Sequence, residues 1–186
     1  MHKFDTVEEY LEALSRDPRG LAIISMNAAA TALDLARSSV ERMAADGRLT
    51  QISMPGLKGV RARDVSDILD AKREERRKVI TVLENAARQQ KPVYYDAVMS
   101  AIGLDHTLSV DRNRIGHILG RISRESHEQN RILLSVLVHK KGRKPEETLP
   151  SDAFFGLAED LNLDVSDKIA FVKKQMRLVY KHFASN

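Results

Sequence analysis

The chain has 186 residues, 42% of them hydrophobic and 30% charged, which is typical of a globular protein with a buried core. Its net charge is only +4, and it contains no cysteine, which excludes disulfides, thiolate metal sites and a cysteine nucleophile. No apolar run approaches the length of about eighteen residues that spans a membrane, and no signal peptide is recognisable, so we expect a cytoplasmic protein.

Positive charge is concentrated in three parts of the chain. Residues 37–63 contain six Lys/Arg and two acids, and residues 105–144 contain nine Lys/Arg and four acids. Residues 168–186 contain five Lys/Arg and no acid. Residues 145–167 carry seven acids and no base, and we expect them to complement the basic final helix. Clustered cations attract a phosphate backbone through counterion release. A solvated surface with segregated charge explains the pattern equally well.

The first 25 residues carry signals for a helix, a strand and the start of a second helix. Thr6 and Glu9 have the spacing of a capping box at the start of an amphipathic segment. The apolar run at 21–24 predicts a short strand, and Ser25 is placed to cap the helix that follows.

Residues 27–49, NAAATALDLARSSVERMAADGRL, predict two helices joined by a tight turn. The predicted inward positions are Ala29, Ala30 and Leu33 on the first helix and Val40 and Met43 on the second. The predicted outward positions on the second helix are Arg37, Ser38, Glu41 and Arg42. Asp34 lies where the chain reverses, and aspartate tolerates the left-handed backbone conformation better than most residues.

A β-hairpin and a further helix are predicted next. The strand-like segment TQISM precedes a turn at 55–59, and the chain returns through 60–62 before a helix that starts at Asp64.

The order of elements over about residues 21–70 resembles the excisionase and MerR-type winged helix-turn-helix DNA-binding domains. The resemblance implies that the second helix enters the major groove and that the hairpin contacts the DNA backbone or minor groove. The implied contacts are Arg37, Ser38, Ser39 and Arg42 on the helix, and Lys58, Arg61 and Arg63 around the hairpin. The alternative is a protein-interaction adaptor or inhibitor that uses a helix-turn-helix scaffold without DNA.

Residues 71–91 are interpreted as a connecting helix between a domain at 1–70 and a second domain at 92–186. The charged run KREERRK at its start has no apolar stripe and is expected to be solvated. The apolar positions that follow are Val79, Val82, Leu83 and Ala86. They fit packing onto the second domain and a homodimer seam equally well.

The segment 92–186 predicts an α-rich domain with a small sheet. The expected elements are a helix within 93–104, a helix capped by Asp111, a β-rich run over 132–138, a basic turn at 140–144, a helix over 154–161 and a helix over 166–183. This order resembles the winged helix of alkylated-DNA repair proteins, although their Pro-Cys-His-Arg acceptor motif is absent. The candidate DNA contacts here are Arg112, Arg114, Arg121, Lys140, Lys141 and Arg143. A protein-binding or dimerising domain with a basic rim fits these residues equally well.

No pattern in the sequence is typical of a catalytic site. The chain lacks a phosphate-binding loop, a dinucleotide glycine fingerprint and a nucleophile elbow, and no two of its six histidines have metal-ligand spacing on a helix. We therefore predict a mainly α protein with small β hairpins, in which a winged helix-turn-helix is followed by a second α-rich domain. The predicted function is sequence-dependent binding of double-stranded DNA by a bacterial or mobile-element transcriptional regulator. We expect no enzymatic activity, cofactor or metal.

Overall fold

The helices and strands of the computed structural model belong to two units, unit 1 (Met1–Glu74) and unit 2 (Glu75–Asn186). The structure describes residues 1–144 and 148–184. The fold is mainly α-helical with small β elements, in agreement with the sequence-based prediction. No helix in the described residues is both long enough and apolar enough to cross a membrane.

Unit 1 combines helices with a four-stranded sheet. Its helices are α1 (Val7–Arg16), α2 (Met26–Leu33), α3 (Arg37–Ala45) and the first part of α4 (Ala62–Arg88). Its strands are β1 (His2–Lys3), β2 (Ile23–Ser25), β3 (Gln51–Met54) and β4 (Leu57–Arg61). The strand order is β1-β3-β4-β2, with β1 parallel to β3 and the other neighbours antiparallel.

Two side-chain caps set the starts of α1 and α2. The Thr6 hydroxyl accepts a hydrogen bond from the Glu9 amide at 3.1 Å, and the Ser25 hydroxyl accepts one from the Ala28 amide at 3.1 Å. The first amides of a helix have no partner within the helix, so each of these bonds stabilises the helix start. Both predicted caps are confirmed.

The core of unit 1 lies between α2, α3, the start of α4 and the sheet. All the predicted inward positions of the two helices are buried: Ala29, Ala30, Leu33, Val40 and Met43. Leu49 and Val60 complete this cluster, and a second one forms around Tyr10 and Ile52. The helical periodicity therefore predicted the packing faces correctly.

The turn of the β3–β4 hairpin is shorter than predicted. Met54 pairs with Leu57, so only Pro55 and Gly56 form the turn, and Gly56 has the positive φ of +75° that glycine adopts without strain. The predicted turn at 55–59 is wrong, because residues 58 and 59 lie in β4 and pair with β3. The helix that follows begins at Ala62, two residues before the predicted start.

Unit 2 is built from helices around a two-stranded sheet. After the second part of α4 come β5 (Val93–Tyr94), α5 (Tyr95–Ser100), α6 (Ser109–Asn130), a 3₁₀ turn (Leu134–Leu137), β6 (Val138–His139), α7 (Asp152–Asp160) and α8 (Lys168–Ala184). Strands β5 and β6 are parallel. The helix predicted within 93–104 thus begins as a strand and is only six residues long.

Two local predictions for unit 2 are wrong. The run 132–138 is mostly a 3₁₀ turn, held to α6 by a buried hydrogen bond of 2.6 Å between the hydroxyls of Ser123 and Ser135. Asp111 does not cap α6, since Leu108 is the N-cap residue and the Asp111 carboxylate instead accepts a hydrogen bond from the Asp105 amide.

The second part of α4 belongs to the core of unit 2. Val79, Leu83 and Ala86 are buried there, and Val82 packs against the same cluster. The sequence allowed these apolar positions either to pack on the second domain or to form a dimer seam. In the structure they pack within the chain itself. The segment 71–91, interpreted as a connecting helix, divides between the two units.

Candidate nucleic-acid interface

The turn between α2 and α3 sets the direction of α3. Asp34 adopts the left-handed conformation, with φ of 56° and ψ of 53°, and the Leu35 amide donates to the Ala30 carbonyl at 3.0 Å. This pattern ends α2 sharply and satisfies its last carbonyls. The conformation predicted for Asp34 is confirmed.

One face of α3 is buried and the other is exposed. Val40 is fully buried and Met43 is 8% exposed, which fixes the inner face. The exposed positions on the outer face are Arg37, Ser38, Glu41 and Arg42, while Ser39 is only partly exposed. The outer face of α3 is therefore polar and free of large apolar side chains.

The two arginines on this face have different partners. Arg37 donates from Nε to the Glu41 carboxylate at 2.9 Å and from Nη1 to the Asn27 side-chain oxygen at 3.4 Å. The guanidinium of Arg42 has no ion-pair partner in the part of the chain that the structure describes. Arg42 is thus the arginine of α3 whose charge is not offset by a neighbouring carboxylate.

The hairpin carries one exposed cation of the same kind. Lys58 lies on β4 as the second residue after the turn, and it is exposed and without an ion pair among residues 1–144 and 148–184. Its neighbour Leu57 is also exposed, at 41%. Arg63, at the start of α4, has only a long contact of 3.9 Å to Asp67, and both side chains are largely exposed.

Arg61 differs from the other predicted contacts of unit 1 because its side chain is tied down. Its Nε donates to Asp64 Oδ1 at 2.7 Å, and Asp64 Oδ2 accepts from the Thr50 amide at 2.6 Å. The Arg61 side chain is 32% exposed and that of Asp64 is 11% exposed. The carboxylate therefore joins the two ends of the hairpin to the first turn of α4.

These contacts change the ionisation of Asp64. Burial raises the pKa of this carboxyl, but the hydrogen bonds from Arg61 and Thr50 together outweigh burial and hold the pKa below its ordinary value of 3.8. A carboxyl with a lowered pKa in the folded state stabilises the fold above its unfolded pKa. That contribution is lost as the pH falls through the folded-state value.

We expect Asp64→Asn to destabilise unit 1 by about 2 kcal/mol at neutral pH, because charge-assisted hydrogen bonds to two donors are weakened. The variant should also lose less stability than the wild type when the pH falls from about 7 to 3. Denaturant unfolding followed by hydrogen exchange of the β3 and β4 amides measures both effects. Asp67→Asn, which weakens an exposed pair, is the control and should change little. Equal acid sensitivity of Asp64→Asn and the wild type would contradict the assignment.

Four of the six cations predicted as DNA contacts in unit 2 are engaged within the chain. Arg112 donates to the carbonyls of His106 and Thr107 at 3.0 and 2.6 Å. The ion pairs are Arg114 with Glu75 at 2.5 Å, Arg121 with Glu125 at 3.2 Å and Lys140 with Asp152 at 2.8 Å. Lys141 and Arg143 are exposed and have no ion pair within the described residues. The structure does not gather the six into one open basic surface.

The cations of α8 were not among the DNA contacts predicted from the sequence, because they were expected to pair with the acidic segment that precedes this helix. Across the described residues, that segment makes one ion pair with α8, from Asp152 to Lys168 at 3.7 Å. Lys173, Lys174 and Arg177 are exposed and make none in the same part of the chain. Glu146 and Glu147 of the segment lie outside the described residues. The absence of any acid from 168–186 was the signal available in the sequence.

Unit 2 also contains a cavity of about 860 Å³ lined by α5, α6 and α7. Apolar side chains such as Leu119 and Phe154 contribute to its lining. At its edge the Tyr95 hydroxyl hydrogen-bonds to the Ser151 hydroxyl at 2.8 Å, and burial raises the pKa of Tyr95 although Ser151 and Lys140 act in the opposite direction. The charged lining residues are Arg112, Arg124, Lys140 and Lys141 with Asp96, Glu159 and Asp160. Since these charges nearly balance, the cavity does not favour an anionic or a cationic ligand.

Among the described residues, no three His, Cys, Asp or Glu side chains cluster in a way that could hold a metal ion. Comparison with family models, curated proteins and solved structures finds no match to this chain.

Proposed function

We propose that unit 1 is a winged helix-turn-helix that binds double-stranded DNA, with α3 in the major groove and the β3–β4 hairpin on the phosphate backbone. The observation that carries the proposal is the pair Arg42 and Lys58. Each is exposed, one on α3 and one on the hairpin, and neither is offset by a carboxylate in the described residues. Uncompensated cations of this kind release counterions when they meet phosphates.

The order of elements supports the same interpretation. Strand β2 leads into α2, a tight turn and α3, and the hairpin then pairs back onto β2 before α4 begins. In winged helix-turn-helix domains this order presents the second helix of the pair to the groove and the hairpin to the flanking backbone. The polar outer face of α3 has the side-chain types that contact phosphates and base edges.

The contacts divide into two roles. Arg42 and Ser38 lie on the exposed face of α3 and would contact base edges, while Lys58 would contact phosphates. Arg61 would hold the hairpin in place through its hydrogen bond to Asp64 instead of touching DNA. The charge of Arg37 is partly offset by its hydrogen bond to Glu41. A protein with these properties would act as a sequence-dependent regulator of transcription in a bacterium or a mobile element.

We expect Arg42→Ala to weaken binding to a selected site by about 5- to 150-fold and to relax the base preference, because one bidentate base contact discriminates by about 1–3 kcal/mol. Lys58→Ala should weaken all sequences alike, by about eightfold at about 0.1 M salt, since it removes one phosphate contact. The measurement is selection from random duplexes, followed by titration of the selected and an unrelated duplex at several salt concentrations.

The matched control is Arg16→Ala with Arg19→Ala, which removes exposed charge from α1 and the loop after it. This variant should bind both duplexes nearly as the wild type does. The proposal fails if the wild type shows no salt-sensitive binding at low salt. In that case the protein-interaction adaptor becomes the hypothesis to test by affinity capture.

A further inference from the structure

The last helix, α8, carries a row of cations on its exposed side. The cationic stripe consists of Lys173, Lys174 and Arg177, all exposed. At about 100° of rotation per residue, these positions fall within an arc of about 100° on the helix surface. They span about 6 Å along the helix axis, at a rise of about 1.5 Å per residue.

The opposite side of α8 is used by the core of unit 2. Phe171, Val172 and Val179 are 7%, 3% and 0% exposed. The polar residue Gln175 on the same side of α8 is also buried, and its side-chain oxygen accepts a hydrogen bond from the Leu133 amide at 3.2 Å. The stripe is therefore held on a fixed helix and points away from the core.

No cation of the stripe forms an ion pair within the described residues. Lys173 and Arg177 lie four residues apart, where like charges destabilise a helix. Neither has an ion pair in the ranges that the structure describes, and the segment Lys168–Ala184 contains no acid. Lys174 acts on Asp164 only as a nearby charge that helps to lower the pKa of that carboxyl, after the effects of Ser166. A uniform row of exposed cations has a polyanion as its complementary partner.

We propose that the α8 stripe is a second DNA-binding surface, which contacts the phosphate backbone of double-stranded DNA without selecting a sequence. This inference rests on the proposed function of unit 1 and adds unit 2 as a partner in binding. Phosphates of one strand follow each other about every 3.4 Å along the duplex axis, so a row of cations about 6 Å long faces about two of them.

A membrane surface is the competing partner for a basic helix, and the burial of α8 argues against it. Basic helices that lie on membranes insert an apolar face between the lipids. In α8 that face is packed against the core through Phe171, Val172 and Val179. The exposed side of α8 is mainly cationic, although Ile169 and Leu178 are also exposed there, and this suits contact with a charged backbone.

The test compares the full chain with Lys173→Ala/Arg177→Ala on a random duplex of about 40 base pairs over a range of salt concentrations. Each lost phosphate contact should reduce the slope of log affinity against log salt by about 0.9, so the pair should reduce it by about 2 and weaken binding about 60-fold at about 0.1 M salt. Alanine is a good helix former, so α8 should remain folded in the variant.

The matched control is Lys78→Ala/Lys91→Ala, which removes the same charge from two exposed residues of unit 2 outside α8. It should change affinity less than twofold, because charges without direct contact are screened over about 10 Å at about 0.1 M salt. An α8 variant that behaves like this control overturns the inference. If Arg42→Ala/Lys58→Ala still weakens DNA binding in the same experiment, the proposed function of unit 1 stands.

The remaining outcomes separate the two proposals further. If the α8 variant loses affinity and Arg42→Ala/Lys58→Ala does not, the α8 surface stands and the assignment of unit 1 fails. If the wild type shows no salt-sensitive binding, both fail. Binding to vesicles of phosphatidylserine and phosphatidylcholine that depends on Lys173 and Arg177, with unchanged DNA binding, would overturn the inference in favour of a membrane partner.

Discussion

Gly59→Ala is expected to destabilise unit 1 by about 3 kcal/mol, a large part of the stability of a small domain. A β-carbon at this position would lie 2.2 Å from the backbone carbonyl oxygen of Ile24 and 2.8 Å from the side chain of Ile23. Gly59 lies opposite Ser25 in the register between β4 and β2, so the methyl group would push these strands apart. A backbone oxygen cannot move aside as a flexible side chain can. The strand β2 leads directly into α2, so the variant should lose DNA binding as well.

The control for this experiment is Gly116→Ala in the interior of α6. No atom lies within 4 Å of the β-carbon it would add. This variant should gain about 0.5–1 kcal/mol from the better helix propensity of alanine. Urea unfolding gives the two free energies, and hydrogen exchange shows in which unit each change occurs. Gly59→Ala with wild-type stability would mean that β2 and β4 do not pack as closely as the structure has them.

The features that sequence predicted correctly in unit 1 depend on local chemistry. A serine at a helix start, an aspartate in a left-handed turn and apolar residues at helical spacing each act over a few neighbouring positions. Ser25, Asp34 and the stripe that contains Val40 all behave as predicted. The turn length was wrong because Lys58 is polar and Gly59 is a residue type common in turns, yet both belong to β4 and pair with β3.

The run 132–138 could not be assigned correctly from its pattern. Every residue in it is buried, so neither a strand period nor a helix period is visible. The contact that holds it, between Ser123 and Ser135, joins residues twelve positions apart and depends on the packing of α6. The same limit explains Asp111, which contacts the preceding loop instead of the helix that it was expected to cap.

The tertiary structure determines whether a cation is available to contact a partner. The sequence therefore predicted this availability only in part. The pairs Arg37–Glu41 and Arg121–Glu125 have helical spacing and can be anticipated. Arg114 pairs with Glu75, which is 39 positions away, and no local pattern indicates that contact. The structure therefore moves the emphasis of the proposal in unit 2 from α6 to α8, where Lys173, Lys174 and Arg177 form no ion pair within the described residues.

The largest binding effect is expected when both surfaces are removed together. The four substitutions Arg42→Ala, Lys58→Ala, Lys173→Ala and Arg177→Ala should weaken binding to a duplex of about 40 base pairs that contains the selected site by about 10³- to 10⁵-fold at about 0.1 M salt. Each of the three lost phosphate contacts removes about eightfold, and the lost base contact of Arg42 removes about 5- to 150-fold. On one long duplex the second contact forms at a high effective concentration once the first has formed. The free energies of the two surfaces then add.

A duplex of about 12 base pairs gives a different expectation if it is too short to engage both surfaces. Each surface then binds the short duplex separately and the two association constants add, so removing the weaker surface alone changes the total affinity little. Fluorescence anisotropy with labelled duplexes of both lengths measures the four-residue variant against each pair. The control carries alanine at Arg16, Arg19, Lys78 and Lys91 and has the same net charge. If the four-residue variant binds the long duplex no more weakly than Arg42→Ala/Lys58→Ala does, the two units do not share one DNA molecule.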